Sequence, residues 1–159
     1  MGQLQPIGAL GMSGSPESAL DRLAADASRH LLTGPAGEAE LRRLEQSLGV
    51  RLPAGFRALL ARLGGGILYD RHELFGPRPL QLHDIEFVPS LAAMQRRLGS
   101  ALAPGMLAFH RGEGMVHTLY LRSNMEDPVA VLSLDGTSRY TDFESFLEAV
   151  VLAPYQPSA

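Results

Sequence analysis

The stretch from Glu40 to Gly66 constrains this chain more than any other. Leu41, Leu44 and Leu48 recur with the spacing of one helix face. Gly49 then supplies the left-handed position that ends many helices. Val50 and Leu52 point inward across a short extended link, and Pro53 fixes its own φ and starts a second helix. Phe56, Leu59, Leu60 and Leu63 make that helix's apolar face, and Gly64, Gly65 and Gly66 stop it. A helix, a tight turn, a helix and a glycine stop leave two amphipathic faces that must be covered by something else in the chain.

The C-terminal half supplies the cover. Ile67-Leu68-Tyr69 suits a short strand, and Glu73–Pro77 and Leu80–Leu82 suit further extended pieces. Pro77 and Pro79 argue for edge or bulge positions in those pieces. Ser90 caps a predicted helix to Leu98. Met106–His110 and Met115–Leu121 read as strands joined through Gly112-Glu113-Gly114, the clearest hairpin signal in the chain. Pro128–Leu134 is a third strand ended by Asp135-Gly136. A last helix runs from Thr141, as cap, to Leu152, with Glu144 placed to complete a capping box. Upstream, Ser15-Pro16-Glu17 opens a helix whose inward residues include Leu20, Leu23, Ala24, Ala27 and Leu31, closed by Gly34-Pro35. Helices, then antiparallel strands, then a closing helix predict an α+β domain over residues 15–152. Met1–Gly14, with four Gly, one Pro and no charge, reads as a flexible lead, and residues 153–159 read as a flexible tail.

The pattern Leu48-Gly49-x-x-Leu52-Pro53-x-x-Phe56-x-x-Leu59-Leu60, closing in Gly65-Gly66, resembles the signature of the SMI1/KNR4 (SUKH) superfamily. Asp127-Pro128-Val129 before a strand and Phe143-x-x-Phe146-Leu147 in a final helix agree with it. The family's usual Asn before the glycines is absent here, where Gly64 stands. The resemblance implies an antiparallel sheet with helices packed mainly on one side, and a protein-binding module rather than an enzyme. Many bacterial members resemble immunity proteins that bind and neutralise a cognate polymorphic toxin, often a nuclease or deaminase. Fungal members resemble regulatory scaffolds, and that reading stays open as the alternative.

Elementary chemistry narrows the remaining classes. The net charge of −3 gives no general attraction to nucleic acid. No cysteine is present, so disulfides and thiolate chemistry are excluded. No apolar run approaches the ~20 residues that span a bilayer, and no secretory leader pattern opens the chain. A cytoplasmic location is the expectation by elimination. His110-x-x-Glu113-x-x-x-His117 invites a metal reading, but the two rings are not expected to lie opposite each other in a hairpin, and no third ligand stands out. The three glycines close a helix where a phosphate loop opens one. No nucleophile elbow or carboxylate pair forms an active-site constellation. The expectation is no catalysis, no metal and no cofactor.

Surface remains. Met1–Gly66 carries seven Arg against six acids, whereas Ile67–Ala159 carries seven Arg against eleven. Glu113, Glu126, Asp127 and Asp135 all fall in expected turns of the C-terminal sheet. They form a candidate acidic surface for a basic toxin domain, with Tyr69, Tyr120 and Tyr140 as candidate aromatic anchors.

Overall fold

The computed structural model describes residues 18–121 and 130–155. The order of elements is α1 (Ala19–Ala25), β1 (His30–Leu32), α2 (Glu38–Leu48), α3 (Ala54–Leu63), β2 (Gly66–Leu68), β3 (His72–Leu74), β4 (Leu80–Leu82) and β5 (Ile85–Val88). Then come α4 (Leu91–Leu98), β6 (Met106–Gly112), β7 (Met115–Tyr120), β8 (Val131–Ser133), β9 (Arg139–Tyr140) and α5 (Phe143–Phe146). From Leu147 to Leu152 the last helix widens to π geometry. A seven-stranded antiparallel sheet runs β9-β8-β7-β6-β3-β2-β1, and β4 and β5 form a separate hairpin. The α+β class and the antiparallel sheet backed by helices are those expected.

The central helix pair forms as its sequence dictates. Gly49 takes φ 71° and closes α2, with its N–H bonded to Glu45 and Gln46 carbonyls. The link between the helices is secured by Glu45, whose carboxylate accepts from Leu52 N–H at 2.8 Å. Arg57 on α3 reaches back with two bonds of 2.8 Å to Glu38 on α2 and holds that carboxyl down to about 2. Leu52 and Phe56 are both buried. Phe56 meets Phe109 of β6 and Phe143 of α5 edge to face, and Phe109 meets Phe146 in the same way. This four-ring cluster is where helices and sheet join, so the most recognisable residues of the signature are core. Gly64 and Gly66 hold φ 75° and 143°, and a Cβ on either would strike the backbone of residues 31–34. The glycine stop is therefore also a packing requirement for β1.

Several local expectations change. The helix expected to reach Leu31 ends at Ala25, and His30–Leu32 leaves as an edge strand paired with β2. The pairing overrides the helical spacing there, and Leu31 is exposed at 49%. The expected start at Ser15 lies outside the described residues, and Ser18 caps the helix by accepting from Asp21 N–H. Tyr69 belongs to the turn after β2, not to the strand. Strand β3 is interior rather than edge, because the prolines follow Phe75 and spare its ladder donors. Strands β5 and β9 have no counterpart among the expected elements. The β4–β5 turn uses His83 and Asp84 at φ 53° and 65°, without the glycine that makes such turns legible. Asp142, not Thr141, caps α5 through Ser145 N–H. Glu144 instead caps α1, accepting from Ala19 N–H at 2.7 Å.

Candidate functional site

Antiparallel pairing brings three connections to one end of the sheet. Leu68 pairs with His72, His72 with Gly112, and Gly112 with Met115, so the turns at 69–71 and 113–114 lie side by side. Strand β8 runs back along β7 from Val131 opposite Leu119 to Ser133 opposite His117, which carries Asp135 to that same end. Asp70, Glu113 and Asp135 are exposed there. Arg71 pairs with Glu113 at 3.2 Å. Asp135 accepts from Thr137 N–H at 3.0 Å, Thr137 Oγ1 at 2.7 Å and Ser133 Oγ at 2.8 Å. Those bonds, led by the Thr137 backbone, lower its pKa and fix the turn.

The other predicted residues are placed differently. Glu126 and Asp127 lie outside the described residues, and their flanking neighbours Leu121 and Ala130 sit at the opposite end of β7 and β8. Tyr120, 38% exposed, is also at that opposite end, paired with Met106. Tyr69 is buried, with its hydroxyl donating to Asp26 at 2.6 Å, so it offers no anchor to a partner. Tyr140 is half-buried, its ring against His117 and Phe146. Sequence reasoning misses Asp70 because it follows a tyrosine expected to be in a strand.

Beneath the acidic turns is an arrangement that sequence spacing conceals. The expected three-residue connection, Gly112 to Gly114, would pair Arg111 with Met115 and set His110 opposite Val116, with His117 on the other face. Gly112 instead stays in the ladder opposite Met115, so the turn is Glu113-Gly114 alone and His110 faces His117; a one-residue shift at Phe109 then sets the register of Ala108 opposite Thr118. The rings expected to miss each other therefore meet: His110 Nδ1 is 3.1 Å from His117 Nδ1. On its far side, His110 Nε2 is 2.9 Å from His72 Nδ1. All three rings are buried, and Phe146 of α5 closes over His110 and His117. Desolvation holds His110 well below the ordinary histidine range, with His72 and His117 adding to it, and desolvation lowers both neighbours.

The bulge has its own support. Ala108 precedes it, beyond the end of β3, and its N–H and C=O are taken by Gln95 of α4 at 2.8 and 2.7 Å. One side-chain amide thus continues the ladder where the neighbouring strand has stopped. The same amide nitrogen donates to Leu91 C=O at 2.9 Å, which fixes its orientation.

Three histidines do not make a metal centre here. His110 uses opposite ring nitrogens toward its two neighbours, so the three donors cannot converge on one ion. Among the described residues no group of three ligating side chains is placed to hold a metal. A cleft of about 560 Å³ between α1, α3 and α5 is lined partly by Asp142 and Glu144, and both carboxylates are engaged as helix caps. No helix among the described residues is long and apolar enough to cross a membrane.

These features define an α+β domain built on one large antiparallel sheet, with its helices backing the sheet and its polar features on turns. The model of the SMI1 / KNR4 family (SUKH-1) matches residues 35–149, and the chain belongs to that family. A crystal structure of a protein from Pseudomonas syringae pv. tomato shares the fold, with a TM-score of 0.59 and 15% identity over 83% of this chain and 95% of that one. A search of curated proteins found no match.

Proposed function

We propose that this chain is a non-catalytic, cytoplasmic protein-binding module of the immunity type, which neutralises a basic toxin domain by covering it. Family membership supports the class, since the resemblance implies immunity proteins among bacterial members. The observation that carries the docking surface is the convergence of the Asp70, Glu113 and Asp135 turns on one end of the sheet. A nuclease must present cations to hold phosphates, so carboxylates at an exposed rim can steer its capture. Asp135 is preorganised by three hydrogen bonds, and Glu113 stands in the β6–β7 turn beside the strand β8 that leads to it. Tyr140 pairs with Val131 toward the other end of β8, though its ring leans on His117, and Tyr120 lies at that other end as well.

The test is association with the toxin domain encoded beside this gene, measured at low and high salt. Reversing charge at Asp70 and Glu113 together is expected to slow association about tenfold or more at low salt and to flatten its salt dependence. An unchanged association rate removes the acidic turns from the interface. No binding to a neighbouring toxin favours the scaffold reading.

A further inference from the structure

We propose that the His72–His110–His117 chain is an acid-triggered release for this end of the sheet, in which added protons force the ring contacts apart and free the turns above them. Counting protons shows why. Three neutral imidazoles carry one N–H each. Each of the two N···N contacts, at 2.9 and 3.1 Å, is satisfied by one proton and repelled by two. His72 Nε2 is buried with no hydrogen-bond partner. Buried acceptors are left unfilled in proteins more often than buried N–H groups are left orphaned, so the neutral chain points one way. His72 donates from Nδ1 to His110 Nε2, and His110 donates from Nδ1 to His117 Nδ1.

A first added proton can keep both contacts only by placing an N–H on His72 Nε2, where nothing accepts it. A second must enter one of the contacts and break it. Among the described residues no acid is positioned to take up the charge. Glu113 favours His72 protonation from a distance but is paired with Arg71, which opposes it. Asp135 acts likewise on His117 but is committed to Ser133 and Thr137. From the helix side the chain meets Phe146, and from β9 it meets Tyr140. The acids of the last helix face elsewhere, Glu144 toward Ala19 N–H and Glu148 toward Arg22. Gly112 makes the geometry possible, because a Cβ there would lie 2.7 Å from His72 Nδ1.

Burial lowers the native pKa of all three rings, so the opened state binds protons first. The stability of this end is therefore complete above about pH 6.5, the ordinary histidine value, and falls as pH drops toward the lower native values. Any effect on a docked partner rests on the proposed docking surface; the release itself is measured on the isolated chain and stands or falls without a partner.

The experiment tracks the imidazole nitrogens of the full chain by NMR from about pH 8 to pH 5, with amide exchange at Arg71, His72 and Gly112. The expected result is one protonated nitrogen per ring at high pH, on Nδ1 in both His72 and His110. Joint titration should then occur below about pH 6.5, with exchange at those amides rising over the same range. In urea, the opening constant should grow up to about tenfold per pH unit for each ring that gains a proton. His72→Gln with His117→Gln should flatten that slope, with His30 left in place to contribute equally to both proteins. Rings titrating independently near the ordinary value would overturn the proposal. So would amides that stay protected down to about pH 5, or a slope unchanged in the double variant. Should the variant not fold, the ring and exchange measurements on the unmodified chain decide.

Discussion

Gly112 lies directly across the β3–β6 ladder from His72, and the absence of a side chain at the one lets the ring of the other reach His110. Its backbone could accept many residues, but the space beside it could not. Gly112→Ala is expected to push His72 off His110 at a cost of about 1–3 kcal/mol, from the lost bond and a tight contact. Equilibrium urea unfolding at pH 8 checks this, and a variant as stable as the parent would show that the ring moves freely.

Gln95 is predicted to be worth more than its half-buried position suggests. Gln95→Leu removes both partners of Ala108, leaving a strand N–H and C=O unpaired beside the bulge. A loss of about 2–4 kcal/mol is expected for two orphaned groups. Exchange of the Ala108 amide should quicken with it. Unchanged protection would mean that water replaces the amide without penalty.

Phe56→Ala removes the ring that carries the cluster from the helix pair to the sheet. Full burial and contacts to Phe109 and Phe143 place it among the costly truncations, at about 3–5 kcal/mol. Thermal and urea unfolding should agree on that loss. A change under about 1 kcal/mol would show that the signature's aromatic residue is not a keystone of the core.

The pH response of Asp135 has the sign of a stabilised carboxylate. Its folded pKa is lowered, chiefly by Thr137 N–H, so its contribution is present above about pH 3.9 and disappears as pH falls through the folded value. Asp135→Asn should lose stability at neutral pH while showing a smaller further loss under acid. Equal acid sensitivity in the two proteins would show that the turn does not depend on the charge.

The helix pair of this protein, its glycine stop, the 113–114 hairpin and the closing aromatic helix can all be read from local spacing. Each depends on forces that act within one element: apolar periodicity, a left-handed cap, a type of turn. Leu52 and Phe56 are legible as core for the same reason, because a helix face rich in Phe and Leu has to be buried. The edge strand at His30–Leu32 is not legible, since its spacing continues a helix and only pairing with Gly66–Leu68 converts it. Strand β5 is hidden because its turn residues, His83 and Asp84, reach positive φ without glycine.

At the acidic end, local sequence supplies Glu113 and Asp135 as turn residues, and the order of strands decides that they share an end. Tyr69 has the makings of an anchor until the fold turns its hydroxyl toward Asp26. The histidine chain separates the two levels most clearly. The sequence by itself determined that His110 and His117 flank a hairpin and that Gly112 stands between them. Tertiary structure decided that they touch. Gly112 stays in the ladder, opposite His72 on one side and Met115 on the other, so the turn closes over Glu113 and Gly114 alone and sets His110 against His117. Strand alternation has a period of two, so a turn one residue longer would change every cross-strand neighbour, and a strand distant in the chain fixes where the turn begins.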